Sequence, residues 1–283
     1  MDGQAAFPPR VRLLALDIDD TITGPDGLIG AANREAIDAA RKRGIEVTVV
    51  TGRRYLTSAQ KLAAELGLDG LIGCHYGRAL VEHPSGAFAA RHCLAPVVCR
   101  RVLAYAREHG LLTSLCADEV FFFGVDTDTP TVEPSMPLAE SVRDLGKVLD
   151  ERGHRVMSMA VSGAGAEGLR DALADAVAAR HVQVYNQRAA RQGQVLAVVL
   201  DGSHDKGTAL EEICRARGIP LSEVVAMGDS EADIPLLRTA GLGVAMPWAD
   251  EHVRAAAGRV ASGAWEDAVA GEIAAMLAWL GRD

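Results

Sequence analysis

Three largely apolar runs, Val11–Leu16, Val47–Val50 and Val224–Met227, limit the fold more than any other feature of this chain. The runs do not alternate with polar residues, so each suits a strand covered on both faces, as in a parallel sheet flanked by helices. Helical patterns that stop at glycine lie between them. Asn33–Arg43 puts Ala36, Ile37 and Ala40 on one face before Gly44, Ser58–Leu66 stops at Gly67, and Thr208–Arg217 stops at Gly218. Strand, helix and strand in repetition predict right-handed crossovers and an α/β fold built on a doubly wound, Rossmann-like parallel sheet.

The middle of the chain reads differently. From about His83 to Arg188 come a helix (Ala95–His109), an aromatic strand (Val120–Val125), a Pro- and Thr-rich turn (Thr127–Pro137), strands at His154–Val161 and Val182–Gln187, and a helix at Gly168–Ala179 between them. The parallel-sheet pattern is expected to resume at Val195. This predicts an α+β cap domain over residues 83–188, inserted into a core of residues 1–82 and 189–283. Phe121–Phe123 reads as core of the cap sheet.

Charge and cysteines narrow the partners. With 29 basic against 38 acidic residues the net charge is -9, which disfavours nucleic acid because phosphate backbones need a basic face. The longest apolar runs, such as Val195–Leu200, are too short to cross a bilayer, and Met1–Arg10 lacks the pattern of a signal peptide. The five cysteines form no C-x-x-C pair, and His92, Cys93 and Cys99 do not have the pattern of a metal site. A reduced, cytoplasmic setting without membrane or nucleic-acid partners is the expectation.

In open α/β sheets ligands bind at the carboxyl ends of the strands. The first apolar run is followed by Asp17-Ile18-Asp19-Asp20-Thr21, the second by Thr51-Gly52-Arg53, and the third by Gly228-Asp229-Ser230 with Asp233 beyond; Lys206-Gly207 precedes the helix at Thr208. Each piece alone has an ordinary reading as a capping turn, strand-end punctuation or a solvated helix start. A calcium loop beginning at Asp17 fails, because Ile22 and Leu28 stand where glycine and glutamate are needed.

Taken together and in this order, the four signals closely resemble the haloacid dehalogenase superfamily of phosphohydrolases. Asp17-x-Asp19-x-Thr21 is similar to its first motif, Thr51 to its second, Lys206 to its third, and Gly228-Asp229-x-x-x-Asp233 to its fourth. Gly243-Val244-Ala245-Met246 and Glu266-Asp267 extend the likeness, and the insert occupies the position of the class IIB cap of the Cof-type subfamily. The resemblance implies a Mg²⁺-dependent phosphatase of a small phosphorylated metabolite such as a sugar phosphate. Asp17 would be the nucleophile and Asp19 the general acid and base. Thr51, Gly52 and Lys206 would bind phosphate. The Asp17 and Asp229 carboxylates with the Asp19 backbone carbonyl would hold the ion, and Asp233 would support from behind. The same residues would also serve a phosphotransferase or mutase, or a phosphate binder without activity.

The chain departs from the family's usual pattern at several places. Ala232 replaces an Asn, Asp20 a Gly, His75-Tyr76-Gly77 stands where Asn-Gly is usual, and Pro247-Trp248 replaces Gly-Asn. Trp248 suits core packing as well as it suits a substrate contact. In the cap, Asp118, Glu119, Arg155 and Arg188, and also His204, read as solvated surface before substrate contacts.

Overall fold

The computed structural model describes residues 4–124, 138–188 and 195–282. Its strands, in chain order, are β1 (Leu13–Leu16), β2 (Glu46–Val49), β3 (Gly70–Cys74), β4 (Ala79–His83), β5 (Ala87–Arg91), β6 (Leu112–Ala117), β7 (Val120–Gly124), β8 (Ala139–Val142), β9 (Val156–Ser162), β10 (Val182–Arg188), β11 (Val195–Asp201), β12 (Val224–Gly228), β13 (Leu242–Ala245) and β14 (Arg259–Val260). The chain divides into two compact units, Met1–Ala90 with His204–Asp283, and Arg91–Ser203.

The first unit is the expected α/β core. Its five-stranded sheet runs β14-β13-β12-β1-β2, and every pairing in it is parallel. The chain leaves β1 for β2 on one side and later returns on the other side as β12, β13 and β14. The order therefore reverses at β1, which is where such sheets open a crevice at their carboxyl ends. Leu13, Leu14, Ala15 and Leu16 are all fully buried, as a strand covered on both faces requires. Leu13 and Ala15 pack with Ala209, Leu210 and Ile213 of the helix Lys206–Arg217. A parallel bridge from Val50 to Gly73 brings in β3, which pairs antiparallel with β4 and begins a three-stranded sheet that ends at β5.

The second unit is α+β. Its six-stranded sheet has the order β10-β11-β9-β6-β7-β8, with β7 and β8 parallel and the other pairs antiparallel. Here the expectation for Val195 is corrected. This run forms β11, held antiparallel between β10 and β9, and the parallel core resumes only with β12. A continuous apolar run marks any strand covered on both faces, and cannot tell a parallel core strand from an interior antiparallel one. The contact boundaries accordingly fall at Ala90 and Ser203 instead of 82 and 188.

Three other expectations differ in detail. Gly168–Ala179 is two short helices, Leu169–Ala172 and Ala174–Ala178. Of the three phenylalanines only Phe122 belongs to the buried cluster, because β7 turns Phe121 and Phe123 to its other face. The turn expected at Thr127–Pro137 lies outside the described residues. Among the described residues no helix is long and apolar enough to cross a membrane.

Burial of β1 gives a direct test. Truncating fully buried Leu14 to alanine should lower the free energy of unfolding by about 2–5 kcal/mol in urea titrations, whereas Leu28→Ala, at a side chain 68% exposed, should change it by less than about 0.5 kcal/mol.

Candidate active site

Asp17 is the first residue after β1, and Asp229 the first after β12. These strands are parallel neighbours in the register Leu16 to Met227, so the two carboxylates leave the sheet side by side. The Asp17 N–H donates to the Met227 carbonyl at 3.0 Å, carrying the ladder one residue beyond β1.

Lys206 enters from a helix start. The sequence reading began that helix at Thr208, but it begins at Lys206, because Asp205 caps it. The Asp205 carboxylate accepts from the Gly207 and Thr208 N–H groups at 2.9 Å, and its own N–H donates to Thr208 Oγ1 at 2.8 Å. Gly77 allows this start to be approached closely. With φ 85°, it lies so near that a Cβ would stand 2.3 Å from the Asp205 carbonyl oxygen.

The Lys206 ammonium donates to Asp17 Oδ1 and to Asp233 Oδ1, both at 2.5 Å, and all three side chains are buried. The other oxygen of Asp233 accepts from Ser230 Oγ at 2.7 Å, from the Ser230 N–H at 2.9 Å and from the Asp229 N–H at 3.2 Å. Gly228 makes room for this turn, since a Cβ there would come within 2.6 Å of the Asp233 side chain. Asp229 Oδ1 accepts from the Thr21 hydroxyl at 3.0 Å. Oxygens of Asp17, Asp229 and Asp233 lie within 4.8 Å of one another.

Three carboxylates around one ammonium leave two negative charges in excess in a site largely removed from water. Burial, and then the charge of Asp233, push the Asp17 carboxyl well above its ordinary range, while Lys206 works against them. Burial and the charge of Asp233 raise Asp229 to about 7. Burial alone would favour neutral Lys206, but the charges of Asp17 and Asp233 outweigh it and move the amine upward. The cluster therefore holds its ammonium firmly and has high affinity for a further positive charge, whether a proton or a metal ion.

Asp19 lies apart from this buried group. Its carboxylate is 58% exposed and accepts from Arg53 Nη2 at 2.7 Å and Arg53 Nε at 3.0 Å, in the forked geometry that guanidinium favours. Thr51 is fully buried, and its hydroxyl accepts from the Arg53 N–H at 3.1 Å. Gly52 lies under the ring of Tyr76, which a Cβ would meet at 2.8 Å. The sequence reading assigned Arg53, Thr21 and Asp205 no task. Their partners lie 34, 208 and, for the Asp205–Gly77 approach, more than a hundred residues away in sequence, and only their places beside the motif residues hinted at them. In the second unit, Asp118 gathers Arg155 at 2.9 Å and Arg91 at 3.5 Å, and Glu119 is buried. The Arg188 side chain is outside the described residues.

A model of the haloacid dehalogenase-like hydrolases matches residues 14–273. The chain belongs to that family. Among its relatives is an Arabidopsis thaliana protein named endoribonuclease YBEY, chloroplastic, 27% identical over 286 residues. That match covers 96% of this chain and 47% of the relative, so the chain spans about half of that protein's length. The 5-amino-6-(5-phospho-D-ribitylamino)uracil phosphatase YitU of Bacillus subtilis is 27% identical over 264 residues, covering 91% of this chain and 94% of YitU. The solved structure of the haloacid dehalogenase subclass IIB sugar phosphatase BT4131 superposes with a TM-score of 0.78 at 19% identity, covering 94% of this chain and 98% of BT4131. The fold is thus that of haloacid dehalogenase-like hydrolases. In this chain Asp17, Thr51 and Asp229 lie just beyond the carboxyl ends of β1, β2 and β12, and Lys206 opens a helix.

The raised Asp229 carboxyl has a consequence for stability. At about 7, against an ordinary value of 3.8, it binds its proton more tightly folded than unfolded, so its contribution is full below the lower value and is lost as pH rises through the higher one. In chelator-treated protein, the melting temperature should fall between about pH 5 and about pH 8, and Asp229→Asn should shrink that fall. An undiminished fall in the variant would assign the effect elsewhere.

Proposed function

We propose that this member of the family is a Mg²⁺-dependent phosphatase of small phosphorylated metabolites, with Asp17 as the covalent nucleophile. The observation that carries the reading is the buried Asp17–Lys206–Asp233 bridge with Asp229 beside it. YitU, named for a phosphatase activity, supports it as a full-length relative.

The residues present fit a divalent ion. Their donors are hard carboxylate oxygens, the cluster carries excess negative charge, and Asp229 has the raised proton affinity of a site short of positive charge. The Asp17 and Asp229 carboxylates and the Asp19 backbone carbonyl would hold it. Bound there, Mg²⁺ would supply charge neutralisation for the phosphoryl oxygens.

The protein groups then have distinct tasks. Lys206 fixes one oxygen of Asp17, which leaves the other to attack phosphorus in line with the ester oxygen. As the new O–P bond forms, the ester O–P bond breaks, its electron pair stays on the leaving oxygen, and Asp19 gives that oxygen a proton. Water next attacks the aspartyl phosphate, Asp19 takes a proton from the water, and Asp17 and inorganic phosphate are released. Thr51 and the backbone about Gly52 would bind phosphoryl oxygens. Asp233 keeps Lys206 aimed at Asp17. Arg53 holds the Asp19 carboxylate until the substrate arrives, and once released from the guanidinium that carboxylate takes up from solvent the proton it then gives to the leaving oxygen.

A panel of phosphorylated metabolites, assayed for phosphate release with Mg²⁺ and with chelator, tests the reading. Release should require the ion, and Asp17→Asn should reduce it at least about a thousandfold with an unchanged circular dichroism spectrum. Undiminished release by that variant would remove Asp17 from the chemistry.

A further inference from the structure

We infer that Trp248, backed by Trp265, is a positioning residue that fixes the loop bearing Asp17 and Asp19. This inference rests on the phosphatase reading for its kinetic consequence but not for its structural one. The indole N–H of Trp248 donates to the carbonyl of Asp20 at 2.8 Å. Asp20 sits between Asp19 and Thr21 in a left-handed conformation, φ 56°, which aspartate adopts more readily than most L residues and which a partner on its carbonyl helps to hold. The bonded carbonyl belongs to the Asp20–Thr21 peptide, so the indole sets the plane of the link between the Arg53-bound carboxylate and the hydroxyl that reaches Asp229.

Both indoles are themselves anchored. Trp248 follows β13 in a turn where the Ala249 N–H donates to Met246 at 3.1 Å, and Arg254 donates to the carbonyls of Pro247, at 3.3 Å, and Ala249. Trp265 stacks on it with ring centroids 4.0 Å apart and planes at 21°. The Trp265 carbonyl accepts from Asn33 Nδ2 at 3.2 Å, and the Glu266 backbone is packed so close to Gly30 that a Cβ there would stand 2.8 Å from its carbonyl oxygen. An aromatic pair pinned at both ends presents its N–H at a fixed point, which a flexible donor would not do. The two departures from the family pattern at Asp20 and Trp248 are thereby joined by one hydrogen bond. Trp248 belongs neither to the core nor, on this geometry, to the substrate.

The variant Trp248→Phe keeps a ring on Trp265 and deletes the donor; Trp265→Leu removes the support; Trp279→Phe, on the C-terminal helix, serves as control. Hydrogen exchange of the peptide spanning residues 17–23 should accelerate roughly three- to tenfold in the first two variants, the effect of one hydrogen bond of ordinary strength, and stay unchanged in the control. Unchanged exchange in Trp248→Phe overturns the inference whether or not the protein is a phosphatase. The kinetic arm compares p-nitrophenyl phosphate, whose leaving group scarcely needs a proton, with an alkyl phosphate from the metabolite panel, whose leaving group does. A misplaced Asp19 should lower kcat for the alkyl ester roughly three- to tenfold and leave p-nitrophenyl phosphate and both KM values nearly unchanged. Equal losses on the two esters, or a raised KM with unchanged kcat, would overturn it by making Trp248 a general structural residue or a substrate contact. Wild-type protein that hydrolyses neither ester would instead sink the phosphatase reading and leave the exchange result to decide.

Discussion

The double ion pair of Lys206 with Asp17 and Asp233 is the constraint around which this site is arranged. Each of these groups is buried, and a buried charge without a partner costs several kcal/mol. Lys206 is the partner that both buried carboxylates share. The sheet brings Asp17 and Asp229 together by parallel register, the Asp205 cap starts the Lys206 helix at the required residue, and the absence of a side chain at Gly228 lets Asp233 fold back beneath the turn. Fold and site are thus one arrangement: the cluster sits at the carboxyl ends of β1 and β12, where the strand order reverses.

The electrostatics of the cluster also bear on what it can receive. A cluster of three carboxylates in an acidic chain repels a phosphate monoester unless positive charge is added. Lys206 alone does not reverse the sign, since its ammonium is already shared between two carboxylates. A divalent cation satisfies the excess charge that raises Asp17 and Asp229 and makes the approach of an anion favourable. The charge count of these residues therefore supports the metal in the proposed reaction alongside the family likeness.

Much of this was legible in the sequence, for definite reasons. Buried parallel strands show as largely apolar runs, and the polar residues at their ends stand out as the points where those runs stop. Hence Asp17, Thr51 and Asp229 could be placed at strand ends before any coordinates. The Val195 run misled because burial on both faces looks the same in an interior antiparallel strand as in a parallel one. Asp205 was overlooked because a cap is defined by which backbone amides it meets. Arg53 was quoted within its motif without a role, because a fork between residues 34 apart has no local signature.

The loop of residues 17–23 makes the same point more sharply. Hydrogen bonds to other elements tie down much of it: the Asp17 amide to β12, the Asp19 carboxylate to Arg53, the Asp20 carbonyl to Trp248 and the Thr21 hydroxyl to Asp229. Within the loop, the Ile18 carbonyl accepts from both the N–H and the hydroxyl of Thr23 at 3.0 Å. A segment whose one short helical turn is interrupted at Asp19 and Asp20 gains rigidity from such distant partners, and rigidity is what in-line attack at phosphorus demands of Asp17 and Asp19. A motif can therefore name the reacting groups, whereas the residues that hold them in place are scattered along the chain and free to differ between relatives. Trp248 is of that second kind: a departure from pattern that becomes intelligible only when its partner, a backbone carbonyl 228 residues earlier, is seen.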